Sequence, residues 1–126
     1  MDSARALDFV ALSPLMEITS GRPEIRVGLI DGPVTVNHQG LNALNIYEVS
    51  PSSTIACFRT GSAACVHGTF VAGILKAIRG GAAPAIAPNC TLSCVLFSEG
   101  AAVKEQMPSA TPEELAAAMV ETIRKK

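Results

Sequence analysis

A chain of 126 residues with 48% apolar and 17% charged side chains can bury one core, which excludes a disordered linker. A net charge of −1, 4% aromatics and no Trp supply neither a cationic surface nor stacking platforms, so nucleic acid is excluded as a partner. No run approaches the ~18 apolar residues that span a bilayer, and Met1 to Arg5 lacks the features of a secretory signal; a cytoplasmic protein without a membrane partner is expected.

Ser13-Pro14 ahead of Leu15-Met16-Glu17-Ile18 predicts a short helix capped by the serine hydroxyl, with Gly21 at its exit. Ile25 to Ile30 is a continuous apolar run, as in a strand covered on both faces; it closes on Asp31 and is broken by Gly32-Pro33. Asn45 to Val49 is a weaker strand. From Ser50 to Ala64 the composition predicts a loop, in which Gly61-Ser62-Ala63-Ala64 is expected to be a surface turn. His67 to Arg79 reads as a helix opened by the histidine, with glycines and alanines that allow close contact with a sheet, ended by Gly80-Gly81.

Thr91 to Phe97 is the third strand, and Gly100 to Ala110 is a loop. Thr111-Pro112-Glu113-Glu114 is a helix start: threonine caps, proline takes the first helical position, and the carboxylates complement the helix dipole. Leu115, Met119 and Ile123 recur four apart and are predicted to form the buried stripe, while Arg124-Lys125-Lys126 suits the negative end. Strands alternating with helices predict an α/β fold, a three-layer parallel sheet with helices on both faces. Sites in such sheets form at the carboxyl ends of strands, where Asp31 lies.

Asp31 and His67 carry the chemistry. Alone, an Asp-Gly pair at a strand end is usually a turn, and a histidine at a helix start is usually packed locally. Together at the top of a sheet, the carboxylate can fix the imidazole tautomer, leaving the other ring nitrogen to take a proton from a hydroxyl. The four cysteines do not have zinc-finger spacing. Cys90 and Cys94 on an extended strand lie roughly 13 Å apart, beyond the ~7 Å a disulfide tolerates. Cys57 and Cys65 can bridge across their loop, but a cytoplasmic chain favours four free, mostly buried thiols. No cofactor is implied, and 76–88 has no oxygen-bearing side chain for calcium.

The segment Ile25-Arg26-Val27-Gly28-Leu29-Ile30-Asp31-Gly32, followed by His67-Gly68-Thr69-Phe70-Val71-Ala72-Gly73, resembles the subtilase (subtilisin-like) serine peptidases. His38 and Leu41 match a frequent His-Pro-x-Leu of that family, with Gln39 in place of proline. Ala85-Ile86-Ala87-Pro88 is similar to its Gly-Val-Ala-Pro turn. Ile-Asp-Gly-Pro-Val with cysteines upstream of the histidine looks like the cyanobactin-maturation type. The resemblance implies the chain order Asp, His, Ser, hence Asp31 and His67 as the first two members of a triad.

The likeness runs from about residue 25 to 126 and places the whole chain, 1–126, as the amino-terminal portion of one peptidase domain. The family's Gly-Thr-Ser and oxyanion asparagine do not follow, so the fold is expected to be truncated and this chain alone inactive. Two readings stay open. One is a serine endopeptidase fragment acting on a peptide or protein, in maturation of a ribosomally made peptide, completed by the missing carboxyl-terminal part or a complementing chain. The other is a non-catalytic scaffold or binding protein derived from half a protease fold, forming homo-oligomers through an exposed sheet edge.

Overall fold

Three short parallel strands carry the architecture of the computed structural model, which describes residues 3–49, 57, 61–96 and 109–124. These are β1 (Arg26–Asp31), β2 (Ile46–Glu48) and β3 (Thr91–Leu96), in the order β1-β3-β2. The register sets Asp31 opposite Leu96 and Glu48 opposite Cys94, so the carboxyl ends of β1 and β3 finish level. All three strands fall where the apolar runs predicted them. Phe97, most of the 50–60 loop and most of the 100–110 loop lie outside the described residues.

Two short helices precede the sheet, α1 (Ser3–Phe9), which the sequence pattern does not announce, and α2 (Ser13–Ile18). Pro14 occupies the first turn of α2 as expected. The predicted serine cap does not form. Leu12 holds the cap position, Ser13 is already inside the helix, and the Ser13 hydroxyl donates to the Asp8 carboxylate instead. Gly21 is likewise not the helix exit: Thr19 closes α2 in extended conformation, and Gly21 lies two residues further on with φ +81°.

The helix α3 (Ala63–Lys76) connects β2 to β3 and covers one face of the sheet. Alternation along the strands turns Val27, Leu29, Leu92 and Cys94 towards it, and they pack with Ala72, Val71 and Leu75. The opposite face presents Gly28, Ile30 and Val95 to α4 (Pro112–Arg124), whose Ala118 is buried there. Helices on both faces of a parallel sheet make the three-layer α/β arrangement that the sequence predicted.

Both long helices correct the sequence reading in detail. α3 begins four residues before His67, because Ser62 is its cap: the hydroxyl accepts the Cys65 amide at 3.2 Å, and Ala63-Ala64 propagate the helix. Gly61 to Ala64 is therefore a helix start and not a surface turn. The same helix ends at Lys76 and not at the Gly80-Gly81 pair, because Ala77 leaves in extended conformation to bridge Leu41. α4 starts as predicted, with a reciprocal box: Thr111 Oγ1 accepts the Glu114 amide (3.2 Å) and Glu114 Oε2 accepts the Thr111 amide (2.8 Å).

The buried face of α4 is not the predicted one. Leu115, Met119 and Ile123 are 45%, 53% and 75% exposed, whereas Ala118 is 5% exposed. The sheet below is flat at Gly28, where an added Cβ would lie 2.6 Å from the Thr122 methyl, so the helix seats small residues and approaches closely.

Candidate active site

The site begins where β1 ends. Asp31 is the last residue of the strand, its side chain 16% exposed, and its Oδ1 accepts the Gly32 amide at 2.6 Å. That bond occupies Oδ1 and leaves Oδ2 as the oxygen that faces His67. The His67 ring reaches it from α3, with Nε2 3.3 Å from Asp31 Oδ2. The imidazole is 49% exposed, so one flank is held by the carboxylate and the other is open to an incoming group.

Two neighbours in the sequence create this approach. A Cβ at position 68 would lie 2.4 Å from the Pro33 carbonyl oxygen and 2.7 Å from that of Gly32. Glycine there lets the helix backbone rest directly on the loop leaving Asp31. Next to it, Thr69 Oγ1 accepts the Thr35 amide at 2.9 Å and ties that loop to the helix. The three residues of the His67-Gly68-Thr69 run thus act differently: the first presents the ring, the second permits contact, and the third fastens it.

His67 is the fifth residue of α3 and does not open it as expected, so the helix dipole acts on the ring only weakly. That field fades within the first turn. The nearer influence is the Asp31 carboxylate. His38 does not join the pair; it is exposed and its Nδ1 accepts the Gly40 amide at 3.0 Å. A groove of about 770 Å³ beside α3 is lined by Leu41, Val66, Phe70 and Ile78 and includes neither Asp31 nor His67. It is mainly apolar, whereas the Asp31–His67 pair supplies an acid and a base.

The fold matches a known architecture. A serine-to-alanine mutant of the protease domain of PatA superposes with a TM-score of 0.67 at 24% identity, over 82% of this chain. The fold is that of a subtilisin-like protease domain. Of the PatA domain, 36% is spanned by this chain. No protein-family model matches the sequence, and no curated protein matches it. Within the subtilisin-like fold, the meeting of β1's end with α3 is the feature already legible in the two sequence motifs.

The cysteines divide between the two alternatives. Cys57 and Cys65 form a disulfide with a Cα–Cα distance of 5.7 Å, so the expectation of four free thiols is corrected. The bridge spans eight positions and places its buried end, Cys65, one turn ahead of the motif glycine. Cys90 and Cys94 are free and buried. Burial pushes the Cys94 thiol up to about 12, with the Glu48 and Asp31 carboxylates adding to the effect.

Sequence reasoning missed two cations that fasten this region. Arg79 donates to the carbonyls of Met16, Thr19, Ala85 and Ile86 and to the Ser20 hydroxyl, joining the end of α2 to the turn before β3. Lys76, 1% exposed, directs its ammonium at three carbonyls. The signal for Lys76 was present: it is a charged residue in an otherwise apolar helical run. Among the described residues no helix is long and apolar enough to cross a membrane, and no cluster of three His, Cys, Asp or Glu could hold a metal.

Proposed function

We propose that Asp31 and His67 are the acid and base of a serine-type endopeptidase centre, in the amino-terminal portion of a subtilase domain formed by residues 1–126. The observation that carries this reading is the 3.3 Å approach of His67 Nε2 to Asp31 Oδ2 at a strand end, in a subtilisin-like fold. Nε2 is the ring nitrogen that faces the carboxylate, which leaves Nδ1 as the one to take a hydroxyl proton, the reverse of the usual triad orientation. The imidazolium formed in that step lies against Asp31, whose negative charge stabilises it. The same nitrogen then returns the proton to the leaving amine, completing general base and general acid roles in peptide-bond hydrolysis.

The nucleophilic hydroxyl and the oxyanion donor come from sequence outside these residues, either the remainder of the domain or a complementing chain. The substrate is a peptide or protein, and the likeness to the PatA protease domain favours maturation of a ribosomally made peptide. A serine-directed fluorophosphonate tests the assignment, applied to this chain alone and to the chain expressed with its downstream coding sequence. Labelling that needs the added sequence and disappears in His67→Ala supports it. Labelling of a serine within this chain alone would overturn it.

One feature favours a second reading, a scaffold that associates through its surface. Among the described residues β1 and β2 each pair on one side only, and α4 leaves Leu115, Met119 and Ile123 in solvent. Light scattering on the purified chain separates the two readings: a stable oligomer that the fluorophosphonate never labels, with or without downstream sequence, favours the scaffold.

A further inference from the structure

The side chain of Lys76 crosses from the last turn of α3 into the region below the amino ends of the strands. Its Nζ lies 2.8 Å from the Leu44 carbonyl oxygen, 2.6 Å from that of Pro88 and 2.8 Å from that of Cys90. These oxygens come from two separate stretches, one leading into β2 and the other into β3. The residue is 1% exposed, so water does not complete the shell.

Donor counting decides the species that fits. An ammonium has three N–H donors and no acceptor, which three carbonyls satisfy fully; a neutral amine has two donors and a lone pair that would face the third oxygen. Three inward carbonyls without a cation would leave partial negative charges converging in a space closed to solvent. Backbone carbonyls gathered in this way are also how proteins replace the hydration shell of monovalent cations, whereas strong calcium sites usually add carboxylates. Desolvation lowers the Lys76 pKa from its ordinary value while the neighbouring Cys90 opposes it, so burial strains the charge that the carbonyls hold.

We propose that the carbonyls of Leu44, Pro88 and Cys90 form a built monovalent-cation site whose resident ligand is the chain's own Lys76 ammonium. The fold requires a cation there, and the lysine stem tethers it. Because the three oxygens precede two strands and the ammonium ends α3, the site locks the helix carrying His67 to the sheet carrying Asp31. A shortened side chain should therefore expose a receptor for a small primary ammonium ion.

Three measurements on the full chain test this. In the wild type, 15N-edited spectra of lysine side chains should show one ammonium group in slow exchange with water near neutral pH, absent from Lys76→Met. Lys76→Met, which keeps the stem and loses every donor, should unfold at lower denaturant concentration. Lys76→Ala should be rescued by n-propylammonium: about tenfold excess over its Kd raises the folded-to-unfolded ratio about elevenfold. Tetramethylammonium, with equal charge but no N–H, should leave it unchanged at matched ionic strength.

Wild-type stability in Lys76→Met would overturn the proposal, as would equal rescue by tetramethylammonium. If the alanine variant does not fold under any condition, the wild-type spectrum decides: no slowly exchanging ammonium means no cation site.

Discussion

Replacing Gly68 by alanine tests how the two site residues are brought together. The new methyl would lie 2.4 Å from the Pro33 oxygen and 2.7 Å from the Gly32 oxygen, both backbone atoms that cannot rotate away. Relief to even the shortest tolerable contact needs roughly 0.6 Å of movement between α3 and the loop, the kind of overpacking that costs about 1–3 kcal/mol. Alanine returns about 0.5–1 kcal/mol in helix propensity, so the net effect should be a loss of up to about 2.5 kcal/mol, centred on about 1 kcal/mol. Moving the helix outward stretches the His67–Asp31 approach from 3.3 Å towards roughly 4 Å, which loosens the hold of the carboxylate on the ring.

The same substitution at Gly73, on the same helix, meets only the Ala83 Cβ at 3.4 Å, an ordinary contact. It should stabilise by about 0.5–1 kcal/mol. Urea denaturation measures both, and 15N imidazole spectra report whether the surroundings of the His67 ring change. Equal effects of Gly68→Ala and Gly73→Ala, or an unchanged His67 spectrum in the first, would refute the close-approach reasoning.

Three further outcomes follow from other parts of the structure. Ser62→Ala removes the cap of α3 and should cost about 1 kcal/mol by chemical denaturation, with faster amide exchange in the first turn. Reducing the Cys57–Cys65 bridge, which closes eight positions, should lower stability by about 2–3 kcal/mol on loop-entropy grounds, measured with and without dithiothreitol. Cys94, raised from 9.0 to about 12 in the fold, is the pH prediction. The unfolded thiol ionises first, so the stability it contributes is fully present below 9 and is lost as pH climbs through about 12. The difference between the wild type and Cys94→Ala isolates the thiol, and a flat difference would contradict the burial argument.

Periodicity and two motifs were enough to locate the sheet and to bring Asp31 and His67 into one site, because strand burial and the Gly68 contact are local consequences of residue size. The cap of α3 was misread because Ser62 sits in a stretch whose composition is that of a loop; the competition is decided by one hydroxyl reaching the Cys65 amide. Arg79 was invisible, and Lys76 signalled its burial but not what it binds, for another reason. Their partners are backbone carbonyls distant in sequence, and such acceptors leave no side-chain signature. The disulfide followed from spacing only as one of two alternatives, since redox state is a property of the compartment and not of the eight-position interval.

The α4 error is the most instructive, because the periodicity rule selected the wrong face of a real amphipathic helix. Leu115, Met119 and Ile123 do form a stripe, but Gly28 leaves so little height above the sheet that the side chains seated there must be as small as those of Ala118 and Thr122. The height of the groove, set by a glycine far earlier in the chain, outweighs the hydrophobicity of the larger stripe. Enlarging the groove side should therefore not be tolerated: Ala118→Leu is expected to destabilise by about 1–3 kcal/mol as overpacking, while Leu115→Ala should change stability by less than about 1 kcal/mol in the isolated chain. If Leu115→Ala proves the more damaging of the two, α4 packs through its large stripe, and the close approach of Thr122 to Gly28 cannot be what positions this helix.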